Sequence, residues 1–429
     1  MNNRPVYLVD GARTPFLKAR GKLGPFTPVD LAVQCGRPLL MRQPFACDAF
    51  DLVILGCVNV IAHEMNPARV AALRLGMGAA MPAFTVQINC GSGMQSIDTA
   101  YRYIRDGGHD LILAGGTEAL SHTPLVLRQE AVQWYAEMAM TKGPLDTASK
   151  LTGLRPDFFK PVLGLERGLT DPITDLNMGQ TAEILAHRFN ISREQADAYA
   201  VESHRRLAKA QEEDWLADEV MTAFDRDGAH YDHDDGVRPD SDTDALGKLK
   251  PVFEKPYGKV TAGNASQITD GASWVIVASE RAVEEHGLSP IARIVDSEWA
   301  ALDPSIMGLG PVLCSTAIAC RRGLGRSDID LWELNEAFAA QVLACLAAWD
   351  DDAFCKEILG LDRAFGQIDR ERLNVDGGAV SLGHPVGTSG NRIVLHLANA
   401  MKRKGLTRGI ATECIGGGQG GAMLLEAVA

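Results

Sequence analysis

Short unbroken apolar runs recur along the chain, each followed by a helical pattern of apolar and polar positions. "VYLVD" (6–10), "DLVILGCV" (51–58), "AFTVQIN" (83–89) and "DLILAGGTEA" (110–119) are such runs, rich in aliphatic and β-branched residues. They predict strands buried on both faces. A small-residue helix around 66–76 and a helix over 92–106 lie between them. Strands alternating with helices imply a layered α/β core.

The pattern lapses between about 122 and 250, where Pro and Gly are scattered and alternation is lost. One strong amphipathic helix interrupts this stretch, "SREQADAYAVESHRRLAKAQ" (192–211), with Ser192 as N-cap and Gln195 three residues on. An acidic loop, "DRDGAHYDHDDGVRPDSDTD", follows it. The segment reads as an insertion covering one face of the core. Strand–helix alternation returns at "KVTAGNASQITDGASWVIVAS" (259–279) and repeats after 290, with helices at 312–322 and 337–349.

The two halves rhyme. "QINCGSGMQSIDTA" and "GGAVSLGHPVGTSGNRIV" each carry a Gly-bounded reactive residue ahead of a helix. "ILAGGTEA" and "ATECIGGGQGG" each run a strand into glycines. Duplicated core units facing each other account for both pairs. The expected organisation is a first core half over 1–121, completed by about 251–284, a loop or lid domain over 122–250, and a second core half over 285–429.

Composition narrows the function. The chain has 429 residues, 46% hydrophobic and 23% charged, an ordinary soluble balance. Its net charge of −13 argues against nucleic acid or an anionic membrane surface as a general partner. Its nine cysteines are odd in number, without a CxxC pair, and no secretion signal is visible. That favours free thiols in a reducing compartment, with cytoplasmic localisation expected, and makes a zinc ribbon unlikely. The longest apolar stretch, "AFAAQVLACLAAW" (337–349), is too short to span a bilayer, so no transmembrane segment is expected.

Four places could carry chemistry. Cys90, between Asn89 and Gly91 at an expected helix N-terminus, sits where the helix dipole and free N–H groups favour a thiolate; a small core cysteine is the plainer reading. His384, followed by Pro385 in "LGHPVGTSG", is a candidate general base once paired with such a cysteine. Cys414 in "ECIGGGQGG" offers a proton-transferring thiol, and the Gly416 N–H an oxyanion donor. The same glycines could instead bind phosphate, but "GGGQGG" does not match GxGxxG. Asn335 and Glu336, beside an apolar helix, need hydrogen bonds or a function, or Asn335 is an ordinary N-cap. His230 and His233 in "HYDHDD" lack a third spaced ligand and read as a solvated loop, so no metal site is expected.

Taken together, "NCGSGMQS", "NEAFAAQ", "GHPVGTSG" and "CIGGGQGG" resemble the four active-site segments of the thiolase family, in the same order. "DGARTPF", "AGGTEALS", "NMGQTAE" and "KVTAGNASQITDGAS" extend the resemblance over nearly the whole chain. It implies a thiolase-like α/β fold of two duplicated α-β-α-β-α core halves plus a loop or lid insertion. It implies an acyltransferase exchanging 3-ketoacyl-CoA plus CoA with acyl-CoA plus acetyl-CoA. Cys90 would carry the acyl group and His384 would activate it. Cys414 would move the α-proton. Asn335 would hold a water that forms one oxyanion hole with His384, and the N–H groups of Cys90 and Gly416 would form the other. Met178, Arg238, Ser266 and Phe338 occupy positions matching CoA and acyl contacts. CoA thioesters would be substrates, with no permanently bound cofactor. A homodimer or homotetramer is implied, and a β-oxidation partner subunit is a further expectation. "CGSG", "NEAF" and "CIGGG" look most like the acetoacetyl-CoA type, whereas the insertions at 140–176 and 351–378 look like the β-subunit of the trifunctional fatty-acid oxidation complex. Two other readings are a ketoacyl synthase-like condensing enzyme and a non-catalytic acyl-CoA-binding protein of this fold.

Overall fold

The computed structural model describes residues 4–428. The first half contributes strands β1 (Val6–Arg13), β2 (Leu52–Gly56), β3 (Ala83–Val86), β4 (Leu111–Ala119) and β5 (Thr269–Ser279). The second contributes β6 (Ala292–Ala301), β7 (Leu331–Leu334), β8 (Arg408–Ile415) and β9 (Gln419–Glu426). In the first half the order is β1-β5-β4-β2-β3, two antiparallel pairings followed by two parallel ones. The second half repeats this as β6-β9-β8-β7, antiparallel twice and then parallel. A parallel bridge between Trp332 and Leu373 stands in the place of β3. The halves join where Val6 pairs antiparallel with Ile294, giving a ten-stranded sheet that includes the short strand Leu17–Lys18.

The unbroken apolar runs have a direct cause. Val53, Leu55, Leu111, Leu113, Trp274 and Ile276 enter one core, against the helix Pro28–Met41. Their neighbours Leu52, Ile54, Ile112, Ala114, Val275 and Val277 enter another, between the two halves. Successive strand residues point to opposite faces, so a strand with a core on each side is apolar at every position. In the second half Ala411, Met423 and Leu425 face the central core, and Ile410, Ala422 and Leu424 face a third.

Two helices fill the central layer, α1 (Ser92–Arg105) and α5 (Val386–Lys404), packed on each other. Their approach needs glycine. A Cβ on Gly93 would stand 2.6 Å from the Asn391 backbone N, and one on Gly390 would stand 2.6 Å from the Met94 N. Backbones therefore touch near both helix N-termini, which brings the loops ahead of them together.

Between Ala119 and Thr269 the chain forms a separate layer containing α2 (Met178–Arg188) and α3 (Arg193–Glu212). The start of α3 follows the reading of its sequence. Ser192 Oγ accepts from the Gln195 N–H at 3.2 Å, and Gln195 Oε1 accepts from the Ser192 N–H at 2.7 Å. The apolar run 337–349 becomes α4 (Ala339–Asp350). Among the described residues, no helix is long and apolar enough to cross a membrane.

Candidate active site

Cys90, His384, Cys414, Gly416 and Asn335 each lie at or near the end of a core element. Cys90 sits in the turn between β3 and α1. Asn89 adopts a left-handed φ of 46°, and Ser92 Oγ fixes the turn by accepting from the Ile88 N–H at 2.9 Å and donating to the Asn89 carbonyl at 2.7 Å. Gly91 follows because the end of β8 packs here: a Cβ would stand 2.5 Å from Ile415 Cδ1. His384 lies just ahead of α5, its N–H donating to the Gln267 carbonyl at 2.9 Å. Cys414 and Gly416 lie at the β8–β9 hairpin. Asn335 follows β7, its N–H on the Thr412 carbonyl at 2.9 Å.

The topology brings these ends to one place. Cys90, His384 and Cys414 line a single cavity with Met178, Ser266 and Phe338. Phe338 stands edge-on to Phe253, with ring centroids 6.1 Å apart. Ser266 is anchored by its N–H on the Ala337 carbonyl at 3.0 Å. Asn335 is fully buried, with neither end of its amide partnered within the chain. Arg238 lies away from the cavity wall; it is exposed, and its backbone N–H donates to His204 Nδ1 at 3.1 Å. His230 and His233 are exposed in and beside a small hairpin, with His233 Nδ1 2.6 Å from Asp232 Oδ1. No group of metal-ligating side chains is present among the described residues.

The electrostatics depart from one expectation. Cys90 is not poised as a thiolate: burial pushes its thiol up to about 12, against the pull of the N–H groups of Gly416 and of Cys90 itself. The nearby Glu413 carboxyl pushes the thiol the same way, and Cys90 stands one residue ahead of Gly91, the N-cap of α1. Cys414 is also held well above the usual thiol range, by burial and then by nearby Cys90. His384 is held down at about 4 by burial and by the positive charge of Arg392. At neutral pH the site therefore holds two thiols and a neutral imidazole.

The imidazole is held through Nδ1. His384 Nδ1 is 2.5 Å from Ser389 Oγ, and that hydroxyl donates to the Pro385 carbonyl at 3.3 Å. A hydroxyl with its proton committed accepts from Nδ1–H. That leaves Nε2 as the lone pair, unpartnered within the chain.

Several supporting residues escaped the sequence reading. Gln267 donates from its side chain to the Gly236 carbonyl at 2.8 Å and the Ser381 carbonyl at 2.9 Å, while its own carbonyl holds His384. Glu118 accepts from the N–H groups of Asn59 at 2.8 Å and Gly387 at 2.9 Å, fixing the first turn of α5; burial raises it to about 7. The paired "TE" in "GGTEAL" and "ATECI" was the available signal, since Glu118 and Glu413 end corresponding strands. Glu336 proves structural. It accepts from Tyr199 Oη at 2.8 Å, Ser203 Oγ at 2.7 Å and the Val380 N–H at 3.1 Å, tying α3 to the turn that leads into His384.

Comparison with known proteins places this geometry. Residues 6–281 match the family model described as "Thiolase, N-terminal domain", and residues 288–427 match "Thiolase, C-terminal domain". The chain is 37% identical over 428 residues to "Trifunctional enzyme subunit beta, mitochondrial" of Bos taurus, covering 99% of this chain and 89% of the relative. It is 38% identical over 431 residues to "Beta-ketoadipyl-CoA thiolase" of Pseudomonas aeruginosa, covering 99% and 100%. The crystal structure of human mitochondrial 3-ketoacyl-CoA thiolase in complex with CoA superposes with a TM-score of 0.84 at 35% identity, over 100% of this chain and 99% of that one.

Proposed function

The chain belongs to the thiolase family and is an acyltransferase, and we propose that it cleaves 3-ketoacyl-CoA through an acyl group carried on Cys90. The observation that carries this reading is that Cys90 shares one cavity with His384 and Cys414, with its turn tied to the Gly416 hairpin by Asn89.

His384 Nε2 takes the Cys90 proton as sulfur attacks the C3 carbonyl. The C2–C3 bond breaks, and Cys414 delivers a proton to C2, releasing acetyl-CoA. CoA then attacks the acyl-cysteine while the Cys414 thiolate takes the CoA thiol proton. Acyl-CoA leaves, and His384 returns its proton to Cys90. The N–H groups of Cys90 and Gly416 stabilise the tetrahedral oxyanion of the acyl-cysteine; removing one such donor typically costs about 10²–10³ in kcat. Asn335, with its amide unpartnered, is the group we assign to hold a water which, with His384, stabilises the enolate oxygen. Two raised thiols suit this sequence, because each must hold a proton at rest and surrender it only to a partner.

We assign Met178, Ser266 and Phe338 to the pantetheine and acyl end of the substrate, and Arg238 to the nucleotide. The nine free cysteines support a reducing, cytoplasmic setting. Action as a homodimer or homotetramer, with or without a β-oxidation partner subunit and with no permanently bound cofactor, belongs to the same reading. A second thiol facing Cys90, where a condensing enzyme would use histidine, speaks against the ketoacyl synthase alternative.

The test is incubation with acetoacetyl-CoA plus CoA while acetyl-CoA is followed, repeated with Cys90→Ala and Cys414→Ala. Both variants lose turnover by at least about 10³-fold. Normal turnover in Cys90→Ala overturns the reading.

A further inference from the structure

Cys90 lines two cavities. One is the chamber of His384, Cys414 and Phe338; the other, about 360 Å³, is lined by residues of the segment 164–173. Leu120, Leu169, Met178 and Val386 are common to both walls, so the sulfur stands where the chambers meet. An acyl group on that sulfur has a second space open to it beside the chamber that holds His384 and Cys414.

We propose that this second chamber receives the acyl chain of 3-ketoacyl-CoA substrates longer than four carbons, and that it discriminates against chains ending in a carboxylate. The proposal rests on Cys90 as the acyl acceptor. The walls are chiefly apolar, with Val58, Leu120, Leu165, Leu169, Ile173 and Val386 among them. Each methylene that leaves water for such a surface tightens binding roughly fourfold.

The chamber's charge points the same way. Among its lining residues there is no Lys or Arg, and the single ionisable carboxyl is Asp171. Asp171 Oδ1 is already engaged, accepting from the N–H groups of Ile173 and Thr174 at 2.9 Å each. A carboxylate on the substrate would enter an apolar space, find no cation, and face a like charge. At the mouth, Ile173 is 83% exposed. A chain that outgrows the chamber therefore reaches solvent, so its gain levels off rather than reversing.

Gly168 supplies the probe. It lines the chamber, and a Cβ there would meet nothing within 4 Å. The experiment measures kcat/KM for uncharged 3-ketoacyl-CoA thioesters from C4 to C16 and for the six-carbon thioester with a terminal carboxylate. In the native enzyme kcat/KM rises roughly fourfold per methylene above C4 and then levels off. The carboxylated substrate falls at least about tenfold below its uncharged six-carbon counterpart. Gly168→Phe fills the space, so its loss at C10 exceeds its loss at C4 by at least about tenfold. Ile173→Arg, at an exposed position, narrows the carboxylate gap and serves independently should Gly168→Phe fail to fold.

The proposal is overturned if C4 is the preferred substrate, if Gly168→Phe affects all lengths equally, or if the carboxylated thioester is used as well as the uncharged one. Failure to turn over any thioester, C4 included, overturns the reading of Cys90 beneath it. Efficient C4 turnover without a length preference overturns only the chamber's assignment.

Discussion

Asn89 Nδ2 donates to the carbonyl oxygen of Gly416 at 2.8 Å, joining the turn before α1 to the β8–β9 hairpin across 327 residues of sequence. The bond joins the residue before Cys90, the proposed acyl carrier, to Gly416, its proposed oxyanion donor. It ties the residue whose N–H is that donor to the turn that carries Cys90.

Removing that amide therefore loosens a donor without deleting it. Asn89→Gly is the suitable change, because glycine keeps the left-handed φ of 46° that alanine resists. The expected loss in kcat with acetoacetyl-CoA is about tenfold to a hundredfold, short of the full cost of losing an oxyanion donor. Asn89→Asp should be worse, since its carboxylate would oppose the Gly416 carbonyl. Wild-type kcat in both variants would remove the positioning role.

With His384 held at about 4 and Cys90 at about 12, the resting pair is neutral over the interval between them. Below about 4 the imidazole is charged and cannot act as a base; approaching 12 the thiol ionises unaided. Iodoacetamide modification of Cys90 in the free enzyme, followed by mass spectrometry, should therefore climb continuously from pH 6 to pH 10. A plateau established below pH 7 would instead reveal a standing thiolate–imidazolium pair.

Much of the framework could be read from the chain, and the reasons are specific. β2, β4 and β5 have a core on each face, so their apolar runs are unbroken and unmistakable. Ser192 and Gln195 announce α3 because a capping box is local chemistry. The same logic marks the helix Pro28–Met41, where Thr27 and Asp30 form a capping box, yet Pro38 inside it obscures the helical pattern. Cys90, His384 and Cys414 were visible through their glycines. Gln267 and Glu118 were not, because their partners Ser381 and Gly387 are brought to them only by the packing of α5 between the halves. The raised Cys90 thiol was not legible either, because the burial and the Glu413 carboxyl that raise it are supplied by tertiary packing.

Ser389 tests the tautomer of His384. Ser389→Ala removes the group that accepts from Nδ1–H, while the backbone bond to the Gln267 carbonyl still places the loop. The ring can then adopt either tautomer, and kcat should fall by about tenfold with KM little changed. Ser389→Thr retains the hydroxyl and should restore most of the rate. A drop that Thr fails to restore would point to packing rather than tautomer control.

His396 on α5 predicts a pH signature in stability. Burial opposes its charge, but Glu219 at 3.1 Å and Asp376 at 3.3 Å overcome that and raise it to about 10. Both acids serve other cations as well, Glu219 pairing with Arg13 at 2.8 Å and Asp376 with Arg403. Because the folded value lies above the unfolded one of about 6.5, this contribution is complete below pH 6.5 and declines as pH rises through 10. His396→Gln removes the charge from between two buried acids and should cost about 3–5 kcal/mol at pH 7. Urea midpoints measured from pH 6 to pH 10 should fall for the native protein and stay nearly flat for the variant. The two curves then converge at the alkaline end, where the native histidine has lost its proton too. Parallel curves would mean that His396 stabilises the fold by packing alone. Cys90 alkylation at pH 7 serves as the control, since the cavity lined by His396 shares no residue with the one lined by Cys90 and His384 and the rate should be unchanged.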